Sequence, residues 1–385
     1  MSTEYKPLFN RTYLKIVPWV AAIVIVILSA NNSPKFPAPE NIKNSSGYIF
    51  EDKNATDQAF VTYAVTPAYS LDHQIDREAL EEIYSDNLLN SDLEITWEQD
   101  RVTLAFPLNK EIVDSLSSTL ESASSYTSET YIEKYSQAKA AQYLSMNIPE
   151  ELAIANFKNH LADNYRTKFS PFTQQPQVLF IVKDSDNPLV EKTLSLLKAN
   201  HKPMSAERVE EPLFSPKYIQ LKGRSEHNIY LLGQPLLAKD NNAEQLIALY
   251  YLHQSLQRLG KTKEVTYRIQ RQPLTPTGYS FLLVASKKPF DDSSIKRLNM
   301  LLLDQIQSDE LDVIKKRLVK QYENQISTAD AKYRHFVRQL FYGEIIESPD
   351  AFRDRLNQIS TDQVKTQIAM FLDPDHSIIV NLAPL

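Results

Sequence analysis

Seven histidines are the first place to look for chemistry: His73, His160, His201, His227, His253, His335 and His376. No two lie closer than 26 positions, so no helical turn carries the i, i+4 pair that holds a catalytic zinc. His73 sits in Asp72-His73-Gln74-Ile75-Asp76, where nearby carboxylates could tune an imidazole into a general base; its more ordinary role is at the surface or in a helix cap. His253 lies in the apolar run Tyr250-Tyr251-Leu252-His253 and reads as a hydrogen-bonded or exposed helix residue. The acid pairs Glu81-Glu82 and Asp291-Asp292 do not converge, since sequence neighbours point to different sides of a helix. Both read as helix-start charge. Lys315-Lys316-Arg317 reads as a solvated face.

Composition removes whole reaction classes. The chain has 385 residues, no cysteine and six glycines, against roughly 27 at average usage. No glycine falls between residues 48 and 222, so neither G-x-G-x-x-G nor a Walker loop can be written, nor the G-x-S-x-G elbow. Thiol catalysis, disulfides and Cys-ligated metals are absent with the cysteines. A net charge of −6 lacks the basic excess of a nucleic-acid binder. No nucleotide, nucleic-acid or cofactor chemistry is expected.

The elements that must position any site follow a repeated order. A β-rich run Phe60–Thr66 precedes a helical pattern over residues 76–89, with Asp76 as its expected N-cap. A hairpin follows, Leu93–Trp97 and Arg101–Phe106 turning at Glu98-Gln99-Asp100. Asn109 then caps one helix and Ser128 the next. The second half repeats this: strand His227–Leu232, helix Ala243–Leu259, hairpin Val265–Gln270 and Tyr279–Ala285, and helices capped by Asp291 and Ser308. Runs at Gln177–Lys183 and Ser377–Ala383 close each half. Matching elements are offset by 167 to about 182 residues, which indicates duplication with loop insertions. The expected fold class is α+β, in two tandem domains at 51–200 and 201–385.

The N-terminal end is different in kind. Ile16–Ala30 carries no charge and follows Lys6, Arg11 and Lys15. With Tyr13 and Leu14 it approaches the length of a spanning helix, and the positive flank places the N-terminus inside and the body outside. The expectation is a cytoplasmic N-terminus (1–12), a transmembrane anchor (13–30) and a stem (31–50), with the body on the periplasmic side of a bacterial inner membrane. A cleaved signal peptide is the alternative.

The C-terminal stretch carries a resemblance. Phe352-Arg-Asp-Arg-Leu-Asn-Gln-Ile-Ser-Thr-Asp-Gln-Val, followed by Phe371-Leu-Asp-Pro-Asp-His-Ser-Ile-Ile-Val-Asn-Leu-Ala-Pro, resembles the end of insulinase/pitrilysin-type zinc peptidases, the family of the mitochondrial processing peptidase. Members close a domain with R-L-x-x-[IV]-[ST]-x-x-[DE]-V, a D-P-[DE] turn and a hydrophobic last strand; here Gln363 replaces the acid. The resemblance is specific over about the last forty residues. It implies, twice over, a mixed, mostly antiparallel sheet with helices packed on one face, and a peptide chamber between paired halves.

It also implies a zinc site built from H-x-x-E-H in the first helix and a Glu in a later one, and this sequence has no H-x-x-E-H. The motif positions are placed at Leu80, Ile83 and Tyr84, and the later acid near Ala138-Lys139-Ala140-Ala141, with Glu133 alone on that helix. The family's Arg and Tyr that help hold the peptide match imperfectly: Tyr267 stands for the Tyr, while Gly260 occupies the Arg spacing, with Arg258 and Lys261 nearby. Tyr267 and Arg258 are therefore the candidate peptide-binding residues, the plainer reading of Tyr267 being a half-buried strand residue. No catalytic or metal residue is assigned. The expected function is a catalytically inactive, membrane-anchored subunit that pairs with a zinc-bearing homologue or with itself and helps hold extended peptide. An active hydrolase with an atypical site and a stand-alone peptide-binding scaffold are the alternatives.

Overall fold

Every residue of the strand Thr277–Ser286 is buried. A strand with one wet face would alternate, so both faces of its sheet must be covered by something apolar. The computed structural model describes residues 40–41, 47–89, 91–161, 169, 171–172, 174–199, 214–237, 243–263 and 265–385. Residues 39–385 form one compact unit. The segment 13–30 and the expected domain boundary near residue 200 lie outside the described residues.

The first half contains β1 (Glu40–Asn41), β2 (Gly47–Glu51), β3 (Gln58–Ala64), α1 (Leu71–Leu88), β4 (Glu94–Glu98), β5 (Arg101–Pro107), α2 (Lys110–Ala123), α3 (Ser128–Ser145), α4 (Pro149–Leu161), β6 (Gln177–Val182) and α5 (Pro188–Ala199). The second contains β7 (Lys217–Gly223), β8 (Asn228–Leu237), α6 (Ala243–Lys263), β9 (Val265–Gln272), β10 (Thr277–Ser286), α7 (Asp292–Gln305), α8 (Ser308–Gln325), α9 (Ala329–Phe341), α10 (Pro349–Asn357), α11 (Thr361–Phe371) and β11 (Ile378–Pro384). The sheets run β1-β2-β6-β3-β5-β4 and β7-β11-β8-β10-β9. Leaving out β1, the two orders are the same, and in each the late strand lies parallel to the first and antiparallel to the second. The duplication expected from element order is therefore present in the topology. Two features differ from expectation. The stretch assigned to the stem supplies β1 and β2, and the closing strands β6 and β11 insert inside their sheets.

Alternate positions decide the layers. Ala59, Val61 and Tyr63 of β3, with Val102, Leu104 and Phe106 of β5, join Leu80, Ile83 and Leu88 of α1 in one core. Tyr230 and Leu232 of β8, with Leu282 and Val284 of β10, join α6, α7 and α8 in a second. The expectation of helices on one face stops there and needs correction. The reverse face of the second sheet is covered by α4 of the first half, whose Ala153, Ile154, Phe157 and Leu161 meet Ile229, Leu231, Phe281, Val380 and Leu382. The reverse face of the first sheet takes α9 of the second half: Phe336 packs edge-on to Phe50 at 5.2 Å, and Tyr333 donates to Asp52 (2.8 Å). Each half thus lends a helix to the other's sheet. One glycine makes this possible. A Cβ on Gly233 of β8 would lie 2.3 Å from a ring carbon of Phe157, so only hydrogen leaves room for the ring against the strand.

Caps explain several boundaries. Asn109 and Asp291 accept from the backbone N–H of Ile112 and Ser294 (both 2.9 Å), as their sequence contexts indicate. The first helix starts earlier than Asp76 because Ser70 takes the cap, accepting from His73 N–H. Thr127, not Ser128, caps α3, and Gln307 precedes α8 without a side-chain cap.

Candidate functional site

Helix α1 has two working faces. Leu80, Ile83 and Tyr84, the positions matched to the zinc motif, are buried in the core at 3%, 2% and 6% exposure. The apolar stripe that makes them conspicuous in sequence marks the side against the sheet. The other side, Gln74, Arg77, Glu78 and Glu81, lines a cleft of about 590 Å³ with Gln142 of α3, Lys158 of α4 and Gln272 of β9. Gln74, Arg77 and Glu78 have the i, i+3, i+4 spacing that two histidines and a glutamate would need. None of them is a histidine.

Arg77 dominates this cleft. Its guanidinium donates to Glu81 (2.5 Å) and to the carbonyls of Glu98 and Gln99 at the end of β4. Burial pushes the Glu81 carboxyl above its ordinary range, opposed by the attraction of Arg77. A fixed organic cation therefore sits in the cleft and already engages the neighbouring acid. Gln142 donates to Glu78 (2.9 Å). Ala138 packs on Ile75 and Ala79. Lys139 lies 5.9 Å from the ring of Tyr143, and Glu133 is exposed beside Gln137. Among the described residues, no group of three or more His, Cys, Asp or Glu is placed to hold a metal ion.

Beside the cleft, β4 is the outer strand of the first sheet and pairs only with β5 among the described residues. Its inner face carries Trp97 in an aromatic group with Tyr84, Phe169 and Phe172 (ring centroids 5.9 to 6.5 Å from Trp97). An outer strand keeps one row of backbone donors and acceptors for an added strand.

A buried polar knot joins the two hairpins across the halves. Asp100, at 1% exposure, accepts from Thr275 N–H (2.8 Å) and from Tyr342 Oη–H (3.0 Å), while its carbonyl accepts from Val65 N–H (2.8 Å). Arg101 donates to Tyr342 Oη (2.7 Å) and stacks on Phe341 and Tyr342. Burial raises the Asp100 carboxyl, opposed by Arg101 and these donors. In sequence the same residues read only as a hairpin turn, because Tyr342 lies 242 positions away.

The other candidates are dispersed. Tyr267 faces the helix layer of the second half, and burial raises its hydroxyl. Arg258 is exposed on α6 and bound to Glu310 of α8 (2.5 Å). A side chain at position 260 would force a local shift, since a Cβ there would lie 2.8 Å from the Val265 carbonyl. His73 is half-buried at the start of α1 and outside the cleft lining. His253 is exposed, beside Gln257 (2.9 Å). Asp291 caps α7 and Asp292 accepts from Tyr230 (2.8 Å). Lys315 departs from a solvated face: it is buried and donates to the Ile359 carbonyl (2.8 Å).

Two sheets of matched order, exchanged helices and a cleft beside the first helix define a two-half, peptidase-like architecture. No family model and no curated relative matches the sequence, but solved structures do. The chain is similar to an M16 peptidase inactive domain from Pseudomonas fluorescens, at 12% identity, TM-score 0.66, over 90% of this chain and 97% of that one. It is similar to a protease from Helicobacter pylori at 12% identity and TM-score 0.64, over 90% and 99%. It is also similar to the periplasmic protease PqqL from Escherichia coli at 12% identity and TM-score 0.56, over 90% of this chain but 47% of that one. The fold is therefore the M16, or insulinase/pitrilysin-type, fold, in a degenerate form whose sequence lacks H-x-x-E-H.

Proposed function

We propose that the chain is a non-catalytic half of an insulinase-type assembly, which pairs with a zinc-bearing half of the same fold and contributes a surface for extended peptide. The observation that carries this reading is the cleft face of α1: Gln74, Arg77 and Glu78 have the spacing of a metal-binding motif without a histidine, and Arg77 pairs with Glu81. A protein without zinc has no activated water there, so cleavage would belong to the partner. The length of PqqL supports pairing, since this chain corresponds to about half of it. The open edge of β4 supports peptide holding by strand addition, which needs backbone groups and no catalytic residue. Tyr267 and Arg258 are further candidate peptide contacts, the first half-buried on β9 and the second exposed and paired with Glu310.

Residues 13–30 supply the proposed membrane anchor, with the body on the exported side; the charge bias of residues 6–15 supports this orientation. No helix among the described residues is long and apolar enough to cross a membrane. The test is affinity purification of the full chain from solubilised membranes, with metal analysis. Recovery of a stoichiometric partner bearing H-x-x-E-H, with zinc tracking the partner alone, is the expected result. One zinc per copy of this chain by itself, with peptide cleavage lost on chelation, would refute it.

A further inference from the structure

Helix α3 meets the rest of the molecule along one side. Ala138 is its single buried residue. That side packs on Ile75 and Ala79 of α1 and sends Gln142 to the cleft. Twelve large apolar side chains are exposed among the described residues, and five of them, Tyr126, Ile132, Tyr143, Leu144 and Ile148, fall on α3 or immediately beside its ends. A helix that served only to cover α1 would turn polar residues outward. Exposed apolar groups gathered on one element mark an interaction surface, whereas single ones scattered over a protein do not.

Their spacing shows what this surface fits. Ile132, Ser136, Ala140 and Leu144 follow one another at four-residue steps and are all exposed, forming one of the ridges along which side chains line up on a helix. At about 100° per residue, the middle of this ridge lies on the side of α3 opposite Ala138. The ridge reads large, small, small, large, and turned end for end it reads the same. A two-fold axis through its middle, at the level of residue 138, sets Ile132 of one copy against Leu144 of the other and Ser136 against Ala140. Such a contact is isologous and closes on itself. The two small residues let the backbones approach where the helices cross, and i±4 ridges interdigitate there at about −50°. Tyr143 stands beside the ridge and widens the apolar contact. No charged residue lies in it; Glu133 and Lys139 flank it. A partner of unrelated sequence would impose no such palindrome.

We propose that the outer face of α3 is a self-association surface, on which a second copy of this chain docks antiparallel about a two-fold axis near residue 138. One helix crossing is small beside the roughly 1,200–2,000 Å² of standard interfaces, so the dimer is weak and reversible. The face is turned away from the α1 cleft, and the dimer forms whether or not the chain also pairs with a zinc-bearing half.

The chain has no cysteine, so a single introduced thiol reports on the contact. In the purified, detergent-solubilised full chain, Ser136→Cys should be joined into a covalent dimer by a short bismaleimide, while Lys320→Cys, exposed on α8, should not. Adding Ile132→Lys and Leu144→Lys to Ser136→Cys should abolish the cross-link and, in sedimentation equilibrium, weaken self-association at least about tenfold. Ala140→Gln, which keeps a good helix former but puts bulk at the crossing, should act alike. Both sets of changes fall at exposed positions, so the unfolding temperature should stay at the wild-type value. Equal cross-linking at positions 136 and 320, a dimer that persists in both the lysine and the Ala140→Gln variants, or a chain that remains monomeric up to about 0.5 mM would each overturn the assignment.

Discussion

Replacing Gly233 by alanine tests the helix exchange at its tightest point. The added methyl would lie 2.3, 2.6 and 2.9 Å from three ring carbons of Phe157, whereas carbon atoms rest at about 3.5–4.0 Å. The ring has to retreat by about 1 Å or more. It cannot turn aside, because it is fully buried and flanked by Tyr279 and Phe281 at 5.9 and 5.8 Å. The displacement therefore passes to α4 as a whole and opens a gap over Ile229, Leu231 and Val380. Overpacking typically costs about 1–3 kcal/mol, and three simultaneous contacts place Gly233→Ala at about 3 kcal/mol. Phe157→Ala alone should cost about 3–5 kcal/mol as a cavity. The two losses should not add. With the ring gone, the alanine methyl at 233 enters the vacated space, so the double variant should be about as stable as Phe157→Ala by itself. The coupling is then about 3 kcal/mol in the favourable direction. Denaturant unfolding of the full chain and the three variants, followed by circular dichroism, measures the cycle. Additivity within about 0.5 kcal/mol would mean that ring and methyl do not compete, and the packing of α4 on β8 would be refuted.

Three further outcomes follow from the cleft, the knot and the buried imidazole. Arg77→Met strands the Glu81 carboxyl and two carbonyls, and should cost about 3 kcal/mol; Arg77→Met with Glu81→Leu should recover part of it, and thermal unfolding with the single variant equal to wild type would contradict the arrangement. Tyr342→Phe removes a hydroxyl shared by Arg101, Asp100 and the Pro273 carbonyl, and should cost about 2 kcal/mol. Faster amide exchange at Val65 and Thr275, both bound to Asp100, would report the loosened hairpins, and unchanged protection would count against the knot. His335 titrates near 6.5 when unfolded and near 4 when folded. Its contribution is thus complete above about pH 6.5 and is lost as pH falls towards 4, because the unfolded chain takes up the proton first. The loss should reach about 2 kcal/mol, part of the full shift being screened at a cavity wall. The stability difference between wild type and His335→Phe should shrink by that amount between pH 7 and 4, and a pH-independent difference would exclude a neutral buried imidazole.

How far the sequence reveals this molecule depends on the range of the interactions. Helices capped by Asn109 and Asp291, and both hairpins, are legible because their signals are local. Duplication is legible because element order survives when identity does not. The exchanged helices are not, since nothing in Ala153, Ile154 and Phe157 names the sheet they cover. The cleft face of α1 is hidden from sequence for a related reason. Periodicity marks the apolar stripe, Leu80, Ile83 and Tyr84, whereas a cleft is lined by the residues left over. The knot of Asp100, Arg101 and Tyr342 joins residues too far apart for any pattern. The absence of a histidine pair, by contrast, is a property of the sequence alone and holds in any register.

The crossed helices also bear on how such a chain could arise and how it would come apart. If each unit lends one helix to its twin, a single ancestral unit could have completed itself only with a second copy, so fusion of two genes would have turned a domain-swapped homodimer into one chain. The same crossing predicts what a protease would leave behind. Cutting the connection between residues 200 and 213 should release two fragments that stay together and, once denatured, refold only as a pair. Each fragment alone would carry a bare sheet face and a helix with nothing to cover.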